Sequence, residues 1–139
     1  MKLGFSKDKD GGDINLCARN SRITCSSSAH DEIQVYSLTG EFLQAHGRPG
    51  SGEAGRLDNP RIYDIDAAGS VLIADCGSDR LQVMSEQGEF AVLDLQPEVS
   101  RPLSAMIFSG HLYVTLYSKC TVHKYACPSS NQTVQHFQH

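Results

Sequence analysis

Residues 33–43, IQVYSLTGEFL, align without a gap on residues 81–91, LQVMSEQGEFA, at an offset of 48. Gln34/Gln82, Val35/Val83, Ser37/Ser85, Gly40/Gly88, Glu41/Glu89 and Phe42/Phe90 are identical. Extended backwards, ITCSSSAHDE (23–32) falls on VLIADCGSDR (71–80). A weaker third copy, HLYVTLYSKCTVHKYA (111–126), places Val114 on Ile73 and Val122 on Leu81 at an offset of 41. The spacing shortens because the connection 44–59 is longer than its counterpart 92–101. A unit repeating at this period cannot bury its own apolar face alone, so neighbouring units must stack.

Each unit reads as four short strands. In the middle unit they are expected near 62–66, 71–75, 80–85 and 89–94, with Pro60 and Pro102 opening the first strand of successive units. Gly69 and Gly88 mark tight turns, where glycine supplies the positive φ that such turns need. Ser37-Leu-Thr-Gly40 and Ser85-Glu-Gln-Gly88 are one turn written twice. No segment has sustained helical periodicity. A four-stranded antiparallel unit recurring every 40–50 residues is the signature of a propeller blade.

NPRIYDIDAAGSVLIADCGSDRLQVMSEQGEF (59–90) resembles an NHL repeat. The resemblance rests on the leading proline, the aspartate and glycine of the first turn, IAD, SDRLQV and the final G-x-F. It covers roughly residues 14–127 and is degraded on either side. The Asp75 position holds Ser27 and Leu116 in the flanking units, and the Arg80 position holds Glu32 and Thr121. The fold class it implies is all-β: four-stranded antiparallel blades forming an incomplete, open NHL-type β-propeller. The units are a lead-in (1–13), a partial blade (14–47), the best-matching blade with a long connection (48–95), a degraded blade (96–127) and a polar tail (128–139). NHL propellers commonly close at about six blades, so this chain holds about half a ring. It is expected to belong to a longer protein or to self-associate through open blade faces, and TVQHF (133–137) to add a last outer strand. Many such propellers end tripartite-motif proteins whose RING finger is a ubiquitin ligase. No RING or B-box cysteine/histidine array occurs in this sequence.

Other signals are weaker. Gly50-Ser-Gly52-Glu-Ala-Gly55 matches G-x-G-x-x-G literally. The phosphate-binding version must open a helix, but here Pro60 and a strand-like stretch follow, so no nucleotide cofactor is expected. Arg56-Leu57 also stand where a Walker-type loop needs Lys and Ser/Thr. A net charge of −4 argues against a chain dominated by phosphate-backbone contacts. Five cysteines, with no C-x-x-C pair and no export signal in MKLGFSKDKD, read as reduced thiols of a cytoplasmic protein. Cys120 and Cys127 read as free thiols. No stretch approaches the roughly 20 apolar residues of a membrane span. Asn131-Gln-Thr133 is read as a chance glycosylation sequon, and His136-x-x-His139 as part of a polar tail.

On the NHL pattern one rim carries the inter-blade connections (47–61, 95–102) and the loops 26–31, 76–79 and 117–120. The candidate partner-binding residues there are Arg48, Arg56, Arg61 and Lys119. Asp75 and Arg80 read as a structural pair satisfying loop backbone. Ile33, Val35, Ile65, Ile73, Leu81, Val83, Val114 and Val122 are expected to point inward. The functional reading is a non-catalytic protein-recognition module, the substrate-binding end of a ubiquitin ligase of tripartite-motif type. The alternatives are an RNA-binding face using the rim arginines and, third, a fragment of an amidating-lyase-like metalloenzyme. No catalytic set, cofactor or resident metal is expected.

Overall fold

The computed structural model describes residues 14–126 except 67, 96, 97, 118 and 119. The lead-in, Lys119, Cys127 and the stretch TVQHF lie outside the described residues. The first sheet has the order β1-β2-β3-β4, formed by β1 (Ile14–Arg19), β2 (Arg22–Ser27), β3 (Glu32–Ser37) and β4 (Phe42–His46). Within the long connection, β5 (Arg48–Pro49) and β6 (Arg56–Leu57) form a small parallel pair. The second sheet contains β7 (Pro60–Ile65), β8 (Val71–Asp75), β9 (Arg80–Met84) and β10 (Phe90–Val92), again in meander order. The third contains β11 (Pro102–Phe108), β12 (His111–Leu116) and β13 (Thr121–Ala126). All pairings within these three sheets are antiparallel.

The expected strands fall in place, with Pro60 and Pro102 each first in its strand. The helical content of the described residues is one turn of 3-10 helix, Cys76–Ser78. The repeated turn is built identically in both copies. Ser37 N–H donates to Glu41 O (2.9 Å) and Gly40 N–H to Ser37 O (3.1 Å), while Glu41 N–H donates to Ser37 Oγ (3.0 Å). The Ser85 turn repeats these bonds at 2.8, 2.9 and 3.0 Å. Gly40 and Gly88 have φ of +90° and +85°, which L side chains rarely adopt. A Cβ on Gly88 would also lie 2.3 Å from the His46 ring.

The innermost strands β1, β7 and β11 lie side by side, and the sheets stack like blades. β8 shows why: all five of its residues, VLIAD, are buried. Alternate side chains of a strand point to opposite faces, so β8 must be covered on both. Val71 and Ile73 join Ile33, Leu57, Ile62, Ile65 and Met84 in the seam with the first blade. Leu72 and Ala74 join Leu81, Val83, Ile107, Leu112, Val114 and Tyr125 in the seam with the third.

A second device ties the blades together. Asp31 and Asp79 occupy the same place in successive blades, both left-handed with φ of +53° and +54°. Asp31 Oδ1 accepts the N–H of Asn59 (2.8 Å), and Asp79 Oδ1 accepts that of Arg101 (2.7 Å). Asn59 and Arg101 each precede the proline that opens the next blade. The third position of the series is Cys120, also left-handed at φ +48°, whose side chain has no carboxylate to offer.

Of the expected inward residues, Ile33, Val35, Ile65, Ile73, Leu81, Val83 and Val114 are buried. Val122 is not: it is 66% exposed. Its register is as aligned, since Val122 pairs with Thr115 as Leu81 pairs with Ala74. What differs is the neighbour. Leu81 is covered by the third blade, whereas Val122 faces outward from it, alongside the exposed Met106 and Phe108. On the first blade, Ile14, Leu16 and Phe42 are exposed in turn.

Candidate functional site: a cleft between the second and third blades

Asp75 and Arg80 form a largely buried ion pair, with Nε to Oδ2 at 2.8 Å. Asp75 Oδ1 accepts Asp58 N–H (2.8 Å), and Gln82 Nε2 donates to Asp75 Oδ2 (3.0 Å). Arg80 donates further to the carbonyls of Gly52 (2.6 Å), Glu53 (3.1 Å) and Arg56 (2.8 Å). Gly55 N–H donates to Gln82 Oε1 (3.0 Å). The pair therefore pins the 50–58 connection against the second blade, the structural role read from the sequence. The glycines of G-x-G-x-x-G serve that path: Gly50, Gly52 and Gly55 all have positive φ, and β7 follows where a phosphate site would need a helix.

Two of the candidate arginines are engaged by the same connection. Arg48 lies 3.9 Å from Glu53 and borders a shallow depression with Gly47, Ala54, Gly55 and Phe90. Arg56 Nη1 donates to Pro49 O (3.2 Å). Arg61 is placed differently. It stands on β7 and lines a cavity of about 280 Å³ at the rim between the second and third blades.

That cleft is assembled from segments far apart in the chain. The end of the long connection supplies Asn59, β7 supplies Arg61, and the 3-10 turn supplies Cys76 and Gly77. Across the seam stand Arg101, then Pro102 and Leu103 of β11, with Tyr117 at the end of β12. Its framework is fixed by backbone bonds. Arg101 N–H is held by Asp79, and its carbonyl accepts Tyr117 N–H at 3.0 Å. Gly77 N–H donates to Asp58 O (2.8 Å), and Tyr63 Oη donates to Leu103 O across the seam. Gly77 must lack a side chain, because a Cβ would meet the Asp58 carboxylate at 2.3 Å.

Among the described residues that line the cleft, two bear a guanidinium and none a carboxylate. On its wall the Cys76 thiol is held above its ordinary pKa. Burial pushes that thiol up to about 11, with Arg61 opposing the rise and Asp75 and Asp58 adding to it. At neutral pH it is a protonated thiol, not a nucleophile. Asn59 Oδ1 is buried and has no hydrogen-bond partner among the described residues. Sequence reasoning named Arg61 but missed Arg101, Asn59 and Tyr117, which only the blade seam brings together. Among the described residues, no group of three or more His, Cys, Asp or Glu side chains is arranged to hold a metal.

These sheets define the class: an all-β chain of antiparallel blades, an open partial β-propeller. Solved structures of the same class share its fold. A virginiamycin B lyase from Staphylococcus aureus, in a catalytically inactive form with quinupristin, matches at a TM-score of 0.60 and 13% identity, over 89% of this chain and 44% of that one. A selenomethionine form of the same enzyme matches at 0.58 and 12%, over 85% and 42%. A streptogramin B lyase matches at 0.60 and 12%, over 89% and 43%. This chain thus spans less than half the length of those propellers, and at such identity the likeness is one of fold. No protein-family model and no curated protein matches the sequence.

Proposed function

We propose that the chain is a non-catalytic recognition module whose rim cleft, between the second and third blades, binds a protein partner. The observation that carries this reading is the cleft itself. It is concave, its walls combine apolar Pro102, Leu103 and Tyr117 with Arg61 and Arg101, and its backbone is clamped before any ligand arrives. Such a site spends little free energy on ordering when a ligand docks. The wider assignment is a cytoplasmic substrate-binding end of a ubiquitin ligase of tripartite-motif type, which rests on the NHL pattern of 59–90. In that assignment the exposed faces of the first and third blades are covered by further blades or a second copy.

The RNA reading has less support. Nucleic-acid affinity needs several phosphate contacts, but Arg56 and Arg80 are bonded to carbonyls of the long connection and Arg48 lies beside Glu53. The test is a display selection of random peptides on the immobilised chain, run beside structured and single-stranded RNA pools at low and physiological salt. Enriched peptides that lose binding on Arg101→Gln bear the proposal out. Steeply salt-dependent RNA binding with no enriched peptide would overturn it.

A further inference from the structure

We propose that Ser51, at the apex of the connection between the first and second blades, is a serine phosphorylation site, and that Arg48 and Arg56 capture the phosphate it receives. The proposal goes beyond the recognition reading and does not depend on what the cleft binds. β5 and β6 set Arg48 directly opposite Arg56, held by Arg48 N–H to Gly55 O (3.1 Å) and Gly50 N–H to Leu57 O (3.0 Å). Side chains of paired residues share a face, and like charges so placed repel unless an anion joins them. Glu53 supplies little of that. Its carboxylate lies 3.9 Å from Arg48, and the two side chains are 78% and 66% exposed. Both arginines keep donors in reserve. Arg56 gives one N–H to Pro49 O, and a guanidinium carries five. Arg80, by contrast, is committed to Asp75 and to three carbonyls, so it has no part in the capture.

Ser51 is placed for both modification and capture. It is exposed between two glycines, and a Cβ on Gly52 would meet nothing within 4 Å, so the acceptor is open to an enzyme. The serines of the repeated turns differ, since Ser37 Oγ and Ser85 Oγ each accept a backbone N–H. The stem of Arg56 lies along residue 50, where a Cβ would stand 3.3 Å from Arg56 Cδ. Its guanidinium, bonded to Pro49 O, is therefore held beside the segment that carries Ser51. In the reaction, Ser51 Oγ attacks the γ-phosphorus of a nucleoside triphosphate held by a protein kinase. The Oγ–P bond forms and the bond from that phosphorus to the β,γ-bridging oxygen breaks. The hydroxyl proton passes to a carboxylate of the kinase, and the nucleoside diphosphate leaves. Arg48, three residues before the acceptor, is the basic group by which an arginine-directed kinase would choose it. The product carries about −1.5 to −2 charges at pH 7, which the arginine pair neutralises. Charge-assisted bonds to the phosphate draw Arg48 off Glu53 and close the apex onto the β5–β6 pair.

The experiment has two parts. The intact chain is treated with an arginine-directed serine kinase and ATP, and the product is mapped by mass spectrometry. Ser51 should be the main site, and Arg48→Gln should remove most of the modification. Phosphoserine is then encoded at position 51 and its phosphate titrated by phosphorus NMR. The second pKa should fall at least about 0.5 below the ordinary phosphoserine value of about 6. It should return to that value in a chain carrying Arg48→Gln and Arg56→Gln, whose amide spectrum reports whether the fold is kept. Should the double substitution unfold the chain, the titration of the phosphorylated chain without it decides by itself. Modification of other serines with Ser51 untouched would overturn the proposal. So would a second pKa at the ordinary value, or a lowered one that the arginine substitutions leave unmoved.

Discussion

The second and third blades carry the same repeat but meet different surroundings. Leu81 and Val122 hold equivalent places, pairing with Ala74 and Thr115. One is fully buried and the other is 66% exposed. Asp79 latches the third blade through Arg101, whereas Cys120 in the same left-handed position has nothing to latch with. Asp75 and Arg80 form a buried pair, but their counterparts Leu116 and Thr121 form none. Burial in a stacked-sheet protein is thus a property of the neighbour as much as of the repeat.

The sharpest way to test this contrast is one substitution made in both blades. Val83→Asp places an unpaired carboxylate in the seam with the third blade and should cost about 4 kcal/mol or more. Val122→Asp, on the uncovered face, should change stability by no more than about 0.5 kcal/mol. Urea unfolding of both variants beside the parent reads the difference. Equal costs would mean that the outer face of the third blade is covered.

Next in size is Asp75→Ala. It leaves Arg80 facing a lost partner and frees the Asp58 N–H, so about 3 kcal/mol should be lost. The effect should be centred on the 50–58 connection, visible as faster proteolysis there. A cost below 1 kcal/mol would remove the pinning role assigned to the pair.

The latches come third. Asp79→Ala and Asp31→Ala each delete one carboxylate-to-backbone bond and should cost about 1–2 kcal/mol. Cys120→Asp, which writes the latch where no following blade is described, should be nearly neutral in the isolated chain. A stabilising Cys120→Asp would show that a hydrogen-bond donor already waits there.

The smallest expected effect involves His46, which rests against Gly88 and bonds Gln44 Oε1 at 2.8 Å. Burial holds its pKa below 6.5. The unfolded chain then takes up the proton first as pH falls, so stability drops below about pH 6.5, the ordinary histidine value. His46→Gln should flatten that part of a melting-temperature profile between pH 7.5 and 5.5. An unchanged profile would assign the pH dependence to other groups.

Much of this architecture is legible in the chain because the same residues recur. The Ser37 and Ser85 turns, the prolines opening β7 and β11, and the Asp75–Arg80 pair all follow from local chemistry repeated at fixed spacing. The exposure of Val122 does not, because it depends on what stands beyond the third sheet. Nor does the cleft. Arg61 and Arg101 lie 40 residues apart on different repeats, and no spacing rule joins them. They meet because inner strands of adjacent blades run side by side, with the residue before each proline held left-handed by an aspartate of the preceding turn. An aspartate recurring at 31 and 79 was the available signal, with Cys120 in the equivalent place of the third blade.

Hydrogen–deuterium exchange of the intact chain, read by mass spectrometry over peptides spanning β9 and β13, tests the contrast between the two blades most directly. Amides of β9, paired on both sides and sealed between two blades, should exchange only through global unfolding. Those of β13 should exchange orders of magnitude faster, by local opening at an uncovered sheet edge and face. Equal protection of the two strands would contradict an open third blade and require a further layer over Met106, Phe108 and Val122.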